Sequence, residues 1–318
     1  MHTKLNVKSL FAGKLGIVLG LIILVIVYTL LSPVFFTMGN FSNIMVQSAT
    51  NAIVALGMTF VIICGQIDLS VGSTLALSIV IGAKVMVATE NVLLGCLVTL
   101  VCAVALGAVN GVLIACLKFQ PFIVTLSTMW LFRGFGYVVT DGVAVSPLPD
   151  GMMSLALGSF IGIPYIVWII IIAYVLSFIL LSRLTLGRRI FAVGDNEESA
   201  RLSGIRIIPT KMFVYMFSGF MAGLAGLIVL SRMNSGQPIA GESYEMYAIA
   251  AAVIGGASLT KGGIGSVVGT LIGAIFIATL QNGLTILNVS SFWQQVFMGL
   301  VTLLAVALDA ARKKISQQ

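Results

Sequence analysis

Charge is the first thing this chain lacks. Only 8% of its 318 residues are Asp, Glu, Lys or Arg, whereas 59% are hydrophobic and the mean hydropathy is +1.13. Soluble domains carry about a quarter charged residues. No soluble core of this length hides so much apolar side chain, so the surrounding medium is read as lipid. Histidine is nearly absent too. His2 is the single one, which excludes histidine-based catalysis and histidine metal centres. The four cysteines (Cys64, Cys96, Cys102, Cys116) lie in or at the ends of apolar runs without metal-ligand spacing, and read as small hydrophobes. There is no GxxxxGK(S/T) phosphate loop, no GxSxG, no HExxH and no paired-Cys site, so neither ATP use of that kind nor a membrane enzyme is supported. The apolar runs also lack the ladder of acids and histidines that a proton-driven pump needs. Net charge is +7, but the basic residues sit at the ends and in loops, as topology signals do, and form no nucleic-acid patch.

What remains is a row of apolar segments. The pattern predicts ten, at about 15–35, 44–64, 69–88, 92–117, 121–140, 164–182, 212–231, 244–259, 264–281 and 292–308. The eighth and ninth are short for a bilayer. An all-α integral membrane protein follows, with residues 1–318 forming one transmembrane domain. The first run is long and lacks a small-x-small cleavage pattern, so it reads as an uncleaved span. Lys4, Lys8 and Lys14 place the N-terminus inside. Ten crossings then put Lys118, the stretch 183–211, Lys261 and the tail Arg312-Lys313-Lys314 inside as well, with both termini cytoplasmic. The loop from Asp141 to Gly162 falls outside and contains no Lys or Arg. Arg232 is the exception among the outer loops, while Lys84 and Arg133 lie near segment ends and can snorkel.

Arg183–Lys211 is the one long polar island, with nine charged residues: Arg183, Arg188, Arg189, Asp195, Glu197, Glu198, Arg201, Arg206 and Lys211. Asp195 is placed to cap a helix, with Glu198 three residues on completing a capping-box pattern and Glu197 favouring the same helix end. Gly204 is a natural terminator and Pro209 blocks simple continuation. The result is a helix of about two turns. It suits docking into a partner's groove; the rival reading is a solvated connector whose arginines set orientation.

Asp68 is the single acid well inside the run from 44 to 88. With Gln66, Ser70 and Ser73, broken by Gly65 and Gly72, it marks an interrupted helix. Two readings stand: Asp68 lines a polar pathway, or it caps the following helix. Asn51, Asn110, Gln281 and Asn282 are isolated amides that either line a pathway or hydrogen-bond between helices. The 34 glycines fit close helix packing, and Gly265, Gly269 and Gly273 form a GxxxGxxxG pattern, with Gly219/Gly223 and Gly107/Gly111 as similar pairs. Residues 65–73 and 255–266 echo one another weakly, as do Asn110-Gly111 and Asn282-Gly283, which is either an internal repeat or chance.

The chain resembles the ribose-type permease subunits of bacterial ABC importers over nearly its whole length. The resemblance is carried by Phe35-Phe36 with Asn40-Phe41-Ser42-Asn43-Ile44, by Asn51-Ala52-Ile53-Val54-Ala55-Leu56-Gly57-Met58-Thr59 and by Ile67-Asp68-Leu69-Ser70-Val71-Gly72-Ser73. It continues in Gly187-Arg188-Arg189, Ala192-Val193-Gly194-Asp195-Asn196-Glu197, Ala200-Arg201-Leu202-Ser203-Gly204-Ile205, Gly255-Gly256-Ala257-Ser258-Leu259, Gly269-Thr270-Leu271-Ile272-Gly273-Ala274 and Asn282-Gly283-Leu284. Gln66, where a small residue is usual, and Lys261 depart from the pattern. The resemblance implies a type II importer permease in the bacterial inner membrane. It would work as a homodimer, with a tandem-domain ATPase inside and a periplasmic sugar-binding protein outside. ATP and Mg would then belong to the ATPase, and this chain would carry no cofactor. Residues 183–211 would be the coupling loop, with Gly187, Arg188, Arg189, Gly194, Asp195, Asn196, Glu197, Glu198, Ala200, Arg201 and Gly204 serving it. The implied action is alternating access without chemistry on the sugar. The rival classes are an ion-coupled secondary transporter and an ABC permease for another small polar solute.

Overall fold

The computed structural model describes residues 14–316. Lys4, Lys8 and His2 lie outside the described residues. Helix α1 is Lys14–Leu31, α2 Met38–Ile63 and α3 Val71–Thr89. Helix α4, Val92–Gly111, widens into a π-helical turn over Val112–Cys116. Helix α5 is Pro121–Thr140, with proline in its first turn, where no intrahelical N–H is needed. A one-turn helix α6, Ser154–Leu157, precedes a two-stranded hairpin of β1 Ser159–Phe160 and β2 Ile163–Pro164, paired antiparallel with Ser159 opposite Pro164. Then follow α7 Tyr165–Arg183, α8 Thr185–Asp195, α9 Glu197–Leu202, α10 Ile207–Met233, α11 Tyr244–Ile254, α12 Val267–Ile286 and α13 Ser291–Ser316.

Among the described residues, seven helical stretches are long and apolar enough to cross a membrane, and three shorter apolar ones occupy Gly16–Leu31, Tyr244–Ile254 and Ser291–Ala307. Each of the ten expected segments thus contains a helix, but only seven of these helices are both long and apolar enough to cross. The expected short ninth segment is in fact a 20-residue helix, which starts at Val267 and carries Gln281 and Asn282 within its body. Gly265 lies before that helix, so the GxxxGxxxG pattern is not one helical face. Gly269 and Gly273 alone are helical, and they abut the backbone of Gly255 and Ala251.

Burial sorts the helices. Helix α2 is buried on every side from Ser48 to Cys64, and α3 and α10 are largely buried around it. Helices α4, α5 and α7 keep outer faces of exposed apolar side chains, such as Val101, Trp130, Leu131, Ile172 and Leu176, which suits contact with lipid tails. Helices α4 and α10 approach closely. A Cβ on Gly107 would overlap the carbonyl of Tyr215, and one on Gly219 would overlap that of Ala103, so two facing glycines let the backbones meet.

The segment after α10 departs from expectation. By sequence the stretch Arg232–Tyr244 reads as a simple outer loop. Instead Asn234 ends α10 in a left-handed conformation (φ 47°), and the chain turns back along α3. Gly236 lies against Ala83, and Gly241 against Gly72 and Leu75. Pro238 and the glycines disfavour a helix here, and α11 is left with 11 residues. Arg133 of α5 holds the non-helical stretch by donating to the carbonyls of Pro238 and Ala240, both at 2.6 Å. Gly236 also pairs with Val145, and Ser231 donates to the Met152 carbonyl at 2.8 Å, which draws the 141–153 loop onto the same end of the bundle.

Replacing Gly219 by Val should overpack the α4–α10 crossing and destabilise by about 1–3 kcal/mol. Thermal unfolding in detergent should show a lowered midpoint for Gly219→Val and an equal or raised one for Gly134→Ala, because nothing lies within 4 Å of a Cβ at Gly134 and alanine favours the helix.

Candidate functional site

The polar island folds as two helices, where the sequence signals point to one. Helix α8 is amphipathic. Gly187, Ile190 and Val193 are buried at helical spacing, while Arg188 and Arg189 are exposed on the other side. Gly187 sits so close to the Leu181 carbonyl that a Cβ would overlap it, which lets α8 fold back under α7.

The cap lies one residue later than expected. Asp195 is the last residue of α8, and Asn196 is the N-cap of α9, its Oδ1 accepting from the Ser199 amide at 2.8 Å. Asn196 wins because Asp195 is still helical, whereas Asn196 has the extended backbone (φ −157°, ψ 107°) that a cap requires. No capping box forms. Glu198 instead pairs with Arg201, Arg201 Nε donating at 3.0 Å. Glu197 accepts from Lys211 Nζ at 2.7 Å, tying α9 to the start of α10. Gly204, with φ +79°, ends the turn as expected. Ala200 points inward, and Arg201, Leu202 and Glu198 point out. Hydrogen bonding to Arg201 holds the Glu198 carboxyl below its usual range. That pair therefore supports α9 at neutral pH and is lost as pH falls through the lowered value.

This exposed unit stands on a backbone junction. Gly194 lies against the Ile63 carbonyl and Gly262, and Gly65 lies against Gly194. Gly263 N donates to Ile63 O at 2.8 Å, and Lys261 Nζ approaches Asp195 Oδ1 at 3.6 Å. The two echoing turns of the sequence thus meet at the end of α8. Lys261, a departure from the family pattern, supplies one of the contacts.

Asp68 lies just beyond this junction and is 2% exposed. Its Oδ1 accepts from the Ser70 amide at 3.0 Å and the Ser70 hydroxyl at 2.7 Å, and its Oδ2 accepts from Ser218 at 2.9 Å. Asn110 Nδ2 donates to Ser70 Oγ at 2.7 Å. One carboxylate therefore joins the α2–α3 turn, α4 and α10. Tyr215 adds a hydrogen bond to the Ile67 carbonyl at 3.2 Å. Burial pushes the carboxyl up, and the hydrogen bonds from Ser70 and Ser218 pull against it. Ser218 and Tyr215 carry no signal in sequence beyond lying in an apolar run. The other amides stand apart from this network. Asn51 is buried in α2 with neither amide atom hydrogen-bonded, Asn282 is buried in α12 with Oδ1 unpaired, and Gln281 is half-buried beside it. Among the described residues no group of three His, Cys, Asp or Glu side chains can hold a metal ion.

Asp68→Ala should strand the Ser70 amide and two hydroxyls in the interior, at a cost of about 2 kcal/mol or more. Asp68→Asn keeps an acceptor oxygen and should cost less. Unfolding midpoints of the two purified variants check this, with Ala expected well below Asn.

Comparison with known proteins adds the family. The family described as branched-chain amino acid transport system / permease component matches residues 40–306. The ribose import permease protein RbsC of Bacillus subtilis (strain 168) is 46% identical over 303 residues, covering 95% of this chain and 93% of that one. The D-allose transport system permease protein AlsC of Escherichia coli (strain K12) is 40% identical, covering 95% and 93%. The L-arabinose transport system permease protein AraH of the same strain is 36% identical, covering 94% and 91%. No solved structure gives a significant match. With seven apolar helices of spanning length among its described residues, and matched along most of its length by permeases, the chain belongs to this permease family: it is a multi-pass membrane transport subunit and not an ATPase.

Proposed function

We propose that this chain forms the membrane pathway of an ATP-driven bacterial importer for a monosaccharide, with ribose first. Ribose is favoured because the ribose permease of Bacillus subtilis is 46% identical, against 40% and 36% for the allose and arabinose permeases. The single observation that carries the coupling role is α9. It is a short, capped helix with exposed charge, and it follows directly on Gly194 of α8, which makes the backbone junction with Gly65 and Gly262.

In this reading two copies pack side by side in the inner membrane, all ten apolar helices cross or enter it, and both termini face the cytoplasm. A tandem-domain ATPase, which holds the ATP and Mg, docks on Arg188, Arg189 and Arg201. Glu197 and Asn196 hold the shape of α9, and Gly187, Gly194 and Gly204 allow its tight folding. A periplasmic binding protein, loaded with sugar, docks on the opposite end, on the outer loops Asp141–Gly162 and Arg232–Tyr244. ATP-driven movement of α8 and α9 rocks the two copies, and the sugar crosses between them. Asn51, Asn282 and Gln281 are the pathway candidates, because the first two have polar atoms with no protein partner. Asp68 and Ser70 serve structure, because their side chains bond to one another and to Ser218 and Asn110, while Asn110 is in both groups, its Nδ2 bound to Ser70 and its buried Oδ1 free. The sugar undergoes no reaction, so no catalytic residue is assigned.

Reversing charge with Arg188→Glu plus Arg201→Glu should abolish co-purification of the ATPase and lower sugar uptake at least about tenfold, since it turns several attractive contacts repulsive. In vesicles holding this chain alone, ribose should equilibrate at most and never accumulate. Accumulation driven by a sodium or proton gradient would favour a secondary transporter. Orientation is checked with a membrane-impermeant maleimide. Exposed Cys116, beside Lys118, should label only from the cytoplasmic side, whereas Cys64, buried away from solvent, should not label from either side.

A further inference from the structure

Helix α13 carries one acid, Asp309, just past its apolar stretch Ser291–Ala307, and this residue is 7% exposed. No motif points to it. Its Oδ2 lies under the turn that follows α11. It accepts from Ser258 Oγ at 3.2 Å, from the Leu259 amide at 3.1 Å, and from the Thr260 amide and hydroxyl at 3.3 Å each. Ser258 Oγ in turn accepts from the Lys261 amide at 3.2 Å, and Ser258 N donates to Ile264 O at 3.2 Å to close the loop. One carboxylate oxygen therefore gathers several donors of a turn too glycine-rich to hold its own shape, with Gly256 at φ +95° and Gly263 at φ +73°.

The residues that this clasp positions are those that touch α8. Lys261 reaches Asp195, Gly262 lies against Gly194, and Gly263 bonds to Ile63 O. Three residues after Gly263, Ser266 caps α12 by accepting from Gly269 N at 3.3 Å. The loop is thus fixed to α13 on one side and braced between α8, α2 and α12 on the other.

We propose that Asp309 is a positioning residue for energy coupling: it locks the 258–263 loop so that motion of α8 and α9 passes into α2 and α12. Without the lock, the loop yields when α8 moves, and the stroke is absorbed in the loop. This inference rests on the coupling role proposed above for α8 and α9.

The test uses the full transporter, with ATPase and binding protein, in liposomes and with ribose as the probe. Wild type must first accumulate ribose, so a wrong sugar shows itself there and not in the variants. Asp309→Ala should leave ATPase association intact while ribose moved per ATP hydrolysed falls about tenfold, as expected for loss of charge-assisted hydrogen bonds. Asp309→Asn, which keeps an acceptor oxygen, should recover part of that ratio. If Asp309→Ala fails to assemble, the Ser258→Ala plus Thr260→Val double variant, which keeps the carboxylate and both backbone donors, is read instead, with a smaller drop in the ratio expected. An unchanged ratio in whichever variant assembles overturns the proposal. So does a loss of transport that merely tracks lost thermal stability at constant ribose per ATP. Failure of the coupling reading looks different: Arg188→Glu plus Arg201→Glu would then leave ATPase association untouched, whatever Asp309→Ala does.

Discussion

A backbone amide or carbonyl cannot go unpaired where water is excluded, and the rest of this structure depends on how that constraint is met at the helix breaks. At three of the buried places where the described chain leaves helical geometry, a charged side chain serves the freed backbone. Asp68 accepts from the Ser70 amide between α2 and α3. Arg133 donates to the Pro238 and Ala240 carbonyls between α10 and α11. Asp309 accepts from the Leu259 and Thr260 amides between α11 and α12. The sign of each charge matches the group it serves, since carboxylates meet N–H donors and the guanidinium meets carbonyls. A chain with so few charges places three of them where helices stop, which explains how it keeps irregular segments inside an apolar body.

The same breaks connect the two ends of the proposed mechanism. The Asp68 turn and the Asp309 turn meet at Gly65, Gly194, Gly262 and Gly263, beneath α8 and α9. Glycine is required at Gly194 because the Ile63 carbonyl occupies the place of a side chain. Contact there is backbone to backbone. Such contacts have no rotamers to absorb a displacement, which is what the proposed transmission from α8 and α9 to the end of α2 requires. Helix α2, buried on all sides from Ser48 onward, cannot move there without moving its neighbours.

Much of this is legible in the sequence. The apolar runs locate every long helix, because spanning length and hydropathy are local properties. The island at 183–211 stands out by charge alone, and Gly204 marks the end of α9. The misreadings are of a different kind. Asp195 and Asn196 both suit an N-cap, and spacing cannot tell which backbone leaves helical geometry first. Ser218 is 150 residues from Asp68, and Asp309 is 51 residues from Ser258. Partners so far apart leave no trace in local periodicity. Arg133 reads in sequence as a snorkelling side chain near a helix end, yet it is occupied by carbonyls that the Gly236–Gly241 stretch brings to it.

The sequence by itself determined the medium, the helical class, the polar loop and the absence of a phosphate-binding loop, since these follow from composition and from patterns a few residues long. Only the tertiary structure decided which charged side chain meets which broken helix, and that Gly65, Gly194 and Gly262 share one contact. Those choices depend on the full three-dimensional return of the chain. Hydrogen bonds and close backbone approaches are set by position to within tenths of an ångström, and no residue's identity carries that information alone.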